Sequence, residues 1–237
     1  MRSFKWPVLC TFFLLTVTLL VKCTFWRTEN CNNFSVKYSE LTNGKSLDTV
    51  QAMRLIDKIL QRDPKCIDAL LTKGDLLISK NMFSQARKNY TEVNLADTSN
   101  AYALYKIGVT FQLDNDDDSA ILFFEKALAK KRHGNAIIDY PKTNEQLSTE
   151  KNKYDIPTGE ILFREGISLY YNKTYQSAVD NFNFCISHNY LLDKSFLYRG
   201  AIYMEIDQKE RACQDFADAK KLGNKDAQEY LNKYCSK

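Results

Sequence analysis

The chain has 237 residues, 44% of them apolar and 26% charged, enough to bury a continuous core. Its formal charge of +4 sits in the leader: Arg2, Lys5, Lys22 and Arg27 are four of the 33 basic residues, and the remaining 29 equal the 29 acids, all of which come later. Beyond residue 27 the balance is neutral, which removes the basic surface that a nucleic-acid binder needs.

In chain order the first element is Trp6–Val21, an apolar run behind Arg2 and Lys5 with the layout of a signal peptide or a signal anchor. It is shorter than the roughly 20 residues that cross a bilayer. A snorkelling Lys22 and interfacial Phe25 and Trp26 would extend it. Val21-Lys22-Cys23 is a poor small-x-small cleavage site, and Lys22 before Cys23 departs from a lipoprotein box. Residues 1–27 are therefore read as a signal peptide or, by preference, an uncleaved N-terminal membrane anchor, with a buried core helix as the bland alternative. Arg2 and Lys5 favour a cytoplasmic N-terminus, with the rest on the extracytoplasmic (periplasmic) side.

From residue 33 a 34-residue frame fits three times without a gap, at 33–66, 67–100 and 101–134, and twice more at 159–192 and 193–226. Position 20 is alanine in all five: Ala52, Ala86, Ala120, Ala178 and Ala212. Position 8 is glycine in four: Gly74, Gly108, Gly166 and Gly200. Glycine inside a helix costs about 1 kcal/mol against alanine, so four at one phase call for a packing reason. Large residues recur at positions 4, 11 and 24, the last holding Ile56, Tyr90, Phe124, Phe182 and Phe216. Steps of 3, 4 and 7 residues make one apolar stripe per helix, and a constant period of this length predicts stacked helical hairpins.

This pattern resembles the tetratricopeptide repeat (TPR), most closely over 101–134. In the frame 33–66 only the second half, ending at Pro64, keeps it, so the first hairpin is a degenerate repeat. The resemblance implies an all-α, right-handed superhelical solenoid: repeats over 28–134, an insert at 135–158, repeats over 159–226, and a capping helix at 227–237. It also implies a concave face formed by the first helices, with positions 2, 5, 9, 12 and 13 projecting inward. The residues assigned to a protein or peptide ligand on that basis are Tyr102, Tyr105, Val109, Phe163, Ile167 and Tyr170, edged by Lys106 and Arg164. A clamp for a C-terminal carboxylate would use Lys and Asn at positions 5 and 9. This chain has Leu71, Asp75, Tyr105 and Val109 there, which argues against that mode. Some of the inward residues could equally pack against the inner wall or the insert.

Five cysteines follow the leader, with no CxxC and no Cys/His cluster of metal spacing. Cys185, at the small position 27, reads as a buried core thiol. Cys213 and Cys235 fall at neighbouring phases of antiparallel helices, and the stretch from Ala212 to Cys235 resembles the end of many bacterial envelope TPR proteins. A disulfide between them is the expectation, with a second between Cys31 and Cys66 at the two ends of the first hairpin. Both require an oxidising compartment, and five free thiols in a cytosolic protein is the competing reading.

Several motifs fail. Asp114–Asp118 with Glu125 spells a calcium loop, but Ser119 stands where glycine belongs and the repeat phase makes 119–125 helical, so the acids read as a capping turn. The sequons at Asn33, Asn89 and Asn172 matter only in a host that glycosylates. The insert is long and polar, with Pro141 and Pro157, and its apolar patch at 136–141 could fold over the groove. No phosphate loop, catalytic carboxylate pair or triad order is discernible. The expectation is a non-enzymatic scaffold at the cell envelope that needs no cofactor, metal or small-molecule substrate. The alternatives are a cytosolic co-chaperone and an enzyme built around the insert, His133 or His188.

Overall fold

The computed structural model describes residues 31–42, 48–133 and 154–235, and every regular element among them is helical. The leader and most of the insert, including the 136–141 patch, lie outside the described residues. Among the described residues no helix is long and apolar enough to cross a membrane. Contacts divide the chain into two compact units, one ending at Leu76 and the other beginning at Leu77.

In the first unit a 3-10 turn, Cys31–Asn33, leads into α1 (Phe34–Thr42), α2 (Thr49–Arg62) and the start of α3 (Ile67–Ser79). The Asp48 carboxylate accepts from the N–H groups of Val50 and Gln51 at 3.0 and 3.2 Å, satisfying two of the orphan amides that open α2. Ala52, Ile56 and Ile59 recur at helical spacing and form the dry core with Phe34, Cys66 and Ala69. Cys31 and Cys66 are joined, their Cα atoms 5.4 Å apart.

The second unit carries α4 (Phe83–Ala96), α5 (Ala101–Leu113), α6 (Asp117–His133), α7 (Thr158–Tyr171), α8 (Tyr175–Ser187), α9 (Leu192–Glu205) and α10 (Lys209–Lys221). A short α11 (Ala227–Tyr230) runs on as a π turn to Cys235. Within this unit each helix packs on the next in chain order, the arrangement of stacked hairpins. The repeated glycine is where the two helices of a hairpin meet. A Cβ on Gly108 would lie 2.7 Å from Phe124, one on Gly200 2.7 Å from Phe216, and one on Gly166 3.0 Å from Phe182. Position 8 is thus the socket for the ring at position 24.

Four hairpin turns use one device. Asn81, Asn115, Lys173 and Asp207, all at position 15, take φ values of 57°, 59°, 60° and 58°. The next residue's N–H then returns five residues: Met82 to Leu77, Asp116 to Phe111, Thr174 to Leu169 and Gln208 to Tyr203. This is a Schellman closure, which Asn and Asp accept more readily than other residues with a side chain. The acidic run is one of these turns. Asp114 ends α5, and Asp116 caps α6 by accepting from the Ser119 N–H at 3.1 Å, so 119–125 is helix. The connections between hairpins are of two kinds. Asp63 and Asp97 end α2 and α4 with φ of −132° and −137°, whereas Asn189 and Gly223 close α8 and α10 with positive φ.

The end of the insert is ordered against the second unit. Ile156 is buried with Leu104, Phe124 and Ile161. Lys131 Nζ bonds the Asp155 carboxylate at 3.0 Å and also the Ile156 carbonyl. Helix α7 takes Thr158, which the spacing assigns to the insert.

Candidate peptide-binding cleft

The eight residues assigned from the repeat phase are scattered across different environments. Tyr105, Val109 and Phe163 are 7%, 8% and 6% exposed and belong to the packing between repeats. Phe163 meets Phe182 and Tyr198 edge-on, both at 5.8 Å between ring centroids. Ile167 packs partly buried against the same cluster. Tyr102 lies against the ring of Tyr154 at 5.2 Å, so the end of the insert covers it, and Lys106 Nζ sits 5.2 Å from the Tyr102 ring.

Tyr105 and Arg164 enter a polar cluster centred on Glu160. The Glu160 carboxylate accepts from Tyr105 Oη at 2.5 Å, Tyr190 Oη at 2.6 Å and Arg164 Nε at 3.1 Å. Gln112 Nε2 extends the cluster to the Arg164 carbonyl and Ser168 Oγ. Burial by itself would raise the Glu160 carboxyl, but the three donors and the Arg164 charge outweigh it and hold the group below its usual range. The Tyr105 and Tyr190 phenols move the other way, raised by burial and by bonding to that carboxylate. Such a cluster ties α5 to α7 and leaves few donors for a ligand.

Tyr170 has a different setting. It lines an open cleft of about 440 Å³ at the C-terminal end of the second unit. Tyr170 and Tyr171 from α7 and Tyr198 from α9 form one side, while Tyr230 and Tyr234 from the terminal helix form the other. Leu197 and Ala201 add apolar surface, and Asp226, Glu229 and Lys233 are exposed along it. The rings are tilted rather than stacked: Tyr170 and Tyr171 at 5.2 Å and 54°, Tyr170 and Tyr198 at 6.5 Å and 68°, Tyr230 and Tyr234 at 6.1 Å and 37°. Core rings stand behind them. Phe182 stacks on Tyr198 at 5.6 Å, and Phe216 lies 4.9 Å from Tyr230. Burial, followed by nearby Glu205, raises the Tyr170 phenol above its ordinary value, and burial raises that of Tyr198, so both stay protonated at neutral pH.

The wall formed by the terminal helix is fixed in two ways. Cys213 on α10 and Cys235 are joined, with Cα atoms 5.7 Å apart. Ala227 is fully buried, and its N–H bonds Asn224 Oδ1 at 3.2 Å. Cys185 is buried, and desolvation pushes its thiol up to about 12. His188, which caps the end of α8, stacks on Phe184 of that helix at 3.9 Å, and the side chain of His133 lies outside the described residues. Among the described residues no group of His, Cys, Asp and Glu is arranged to hold a metal.

Residues 102–130 match the tetratricopeptide-repeat family model. No curated protein matches the chain in sequence. Similar solved structures include YrrB, described as a TPR protein with an unusual peptide-binding site: 15% identity, 90% of this chain against 97% of that one, TM-score 0.66. MamA from Desulfovibrio magneticus RS-1, solved from residue 41 to the end, is 13% identical over 81% of this chain and 92% of its own, at TM-score 0.62. PilF of Pseudomonas aeruginosa is 16% identical over 76% and 72%, at TM-score 0.57. At these identities the likeness is one of fold: the all-α fold of tetratricopeptide repeats.

Proposed function

We infer from the tetratricopeptide-repeat fold that this chain is a non-enzymatic adaptor that binds a protein or peptide segment in the tyrosine-lined cleft, while held at or exported across a membrane. The observation that carries the reading is the cleft itself: five tyrosines around about 440 Å³, held from behind by core rings. Tyrosines supply contact area at low entropic cost and carry a hydroxyl for backbone groups, which suits a peptide. YrrB, of the same fold, is described as having a peptide-binding site. For the compartment, the support is the basic-then-apolar leader and the two joined cysteine pairs, which belong to oxidising surroundings.

A photo-crosslinking residue at exposed Tyr171, compared with one at exposed Leu122 on α6, tests the site in cells of the native host. A defined partner captured from position 171, not from 122, and lost on Tyr170→Ala with Tyr234→Ala, supports it. Equal capture from both positions, or none from 171, overturns it. Fractionation tests the compartment: a soluble cytoplasmic chain whose cysteines after the leader all react with a thiol reagent sinks the envelope reading.

A further inference from the structure

The charge around the cleft is uneven. Three acids face it or act on its rings: Asp226 and Glu229 line it, and Glu205 acts on Tyr170. On the basic side stand Lys233, which lines it, and Arg164, whose charge reaches Tyr198. Arg164 is occupied: its guanidinium bonds Glu160 at 3.1 Å and Gln112 at 3.4 Å. Lys233 points its Nζ over the ring of Tyr234, 4.9 Å from the centroid. One wall of the cleft therefore already holds an ammonium on a tyrosine face, supplied by the chain itself.

An aromatic face carries negative potential, and neighbouring carboxylates add to it. A desolvated guanidinium or ammonium between such faces is favoured over a neutral group of the same shape. The opposite wall, Tyr170, Tyr171 and Tyr198, has the same rings, and the lysine of the cleft sits on the terminal helix, not on that wall. We propose that the ligand of the cleft is a peptide segment presenting an arginine or lysine side chain, which enters between Tyr170 and Tyr234 with Asp226 and Glu229 balancing its charge. This rests on the cleft being the adaptor's binding site and names the chemistry that it selects. An acidic or carboxylate-bearing segment is the ligand that this surface rejects.

The test uses the full chain with its disulfides intact, fluorine-labelled at tyrosine, and three probes: N-acetyl-arginine methylamide, the isosteric uncharged N-acetyl-citrulline methylamide, and N-acetyl-aspartate methylamide. The arginine probe is expected to shift the resonances of Tyr170, Tyr171 and Tyr234 saturably, and the citrulline probe to bind about tenfold more weakly. Asp226→Asn with Glu229→Gln should reduce the arginine probe's affinity severalfold and leave the citrulline titration unmoved. Lys233→Ala should strengthen arginine binding, because the competing internal cation is gone. Equal affinity for arginine and citrulline, tighter binding of the aspartate probe, or no shift with arginine overturns the proposal. The crosslink at Tyr171 reads the adaptor function separately. A partner captured there whose contacting segment has no basic residue sinks the cation preference and leaves the adaptor standing, whereas no specific capture sinks the adaptor.

Discussion

Gly200→Ala puts the packing argument at risk most directly, because helix propensity and core geometry predict opposite signs. In an unconstrained helix the change stabilises by about 1 kcal/mol. Here the added Cβ would stand 2.7 Å from Phe216 Cε1 and 3.2 Å from the Ala212 carbonyl oxygen. Phe216 is fully buried, and Tyr230 packs against it 4.9 Å away on the terminal helix, so the ring can yield only by moving a neighbour. Overpacking of this kind costs about 1–3 kcal/mol. The net expectation is destabilisation by about 1 kcal/mol. The discriminating measurement is a double-mutant cycle by urea denaturation, followed by circular dichroism, with Phe216→Leu as the second change. In the Phe216→Leu background the clash with the ring is gone, and Gly200→Ala should stabilise by about 0.5–1 kcal/mol. The same stabilising sign in both backgrounds would refute the socket at position 8.

Three further outcomes follow from the same geometry. Cys213→Ser opens a bond spanning 22 residues and should cost about 3 kcal/mol, with the loss read as faster hydrogen exchange in 227–235; unchanged exchange there would mean that the bond does not hold the wall. Phe163→Ala removes a ring packed edge-on against both Phe182 and Tyr198 and should cost about 3–5 kcal/mol in urea, so a variant of full stability would place Phe163 outside the core. Glu160 has a folded-state carboxyl below its ordinary value, so its contribution is complete above about pH 4.3 and fades as pH falls through the lower folded value. The stability gap between the native chain and Glu160→Gln should therefore be widest near neutrality and shrink in acid; a gap independent of pH would exclude this linkage.

The hairpins are legible in the sequence because their cause is local. A ring at position 24 needs a missing Cβ at position 8, and both are visible as letters: Phe124 over Gly108, Phe182 over Gly166, Phe216 over Gly200. The binding surface is only partly legible, because whether an inward-facing residue meets solvent depends on the next repeat. Tyr105 sits at position 5, the phase of a groove residue, yet Glu160 of the following repeat reaches its hydroxyl and it is buried. Tyr170, at position 12, lines the cleft. Tyr198 falls at position 6, just off the expected phases. Tyr230 and Tyr234 escape the sequence reading because its frames stop at 226. Continued, the frame puts them at positions 4 and 8. A tyrosine at the glycine position was the available signal, because its ring would fill the socket that a ring at position 24 uses elsewhere.

The core and the cleft share their rings at this end of the second unit. Each repeat leaves one apolar face that its neighbour covers. Among the described residues, α10 is followed by four residues of α-helix and a π turn of five. Tyr230 covers Phe216, the disulfide holds the helix in place, and what remains open is the cleft. The rings that finish the core are therefore the rings that line the site, and binding must be linked to the stability of this end. A ligand at a hundredfold excess over its Kd stabilises by about 2.7 kcal/mol. With the arginine probe at that excess, hydrogen exchange in α9 to α11 should slow by up to about a hundredfold for amides that open with the cleft, while α4, on the far side of α5 in the contact order, should be unchanged. Uniform slowing along the chain would mean that the probe binds somewhere other than the cleft.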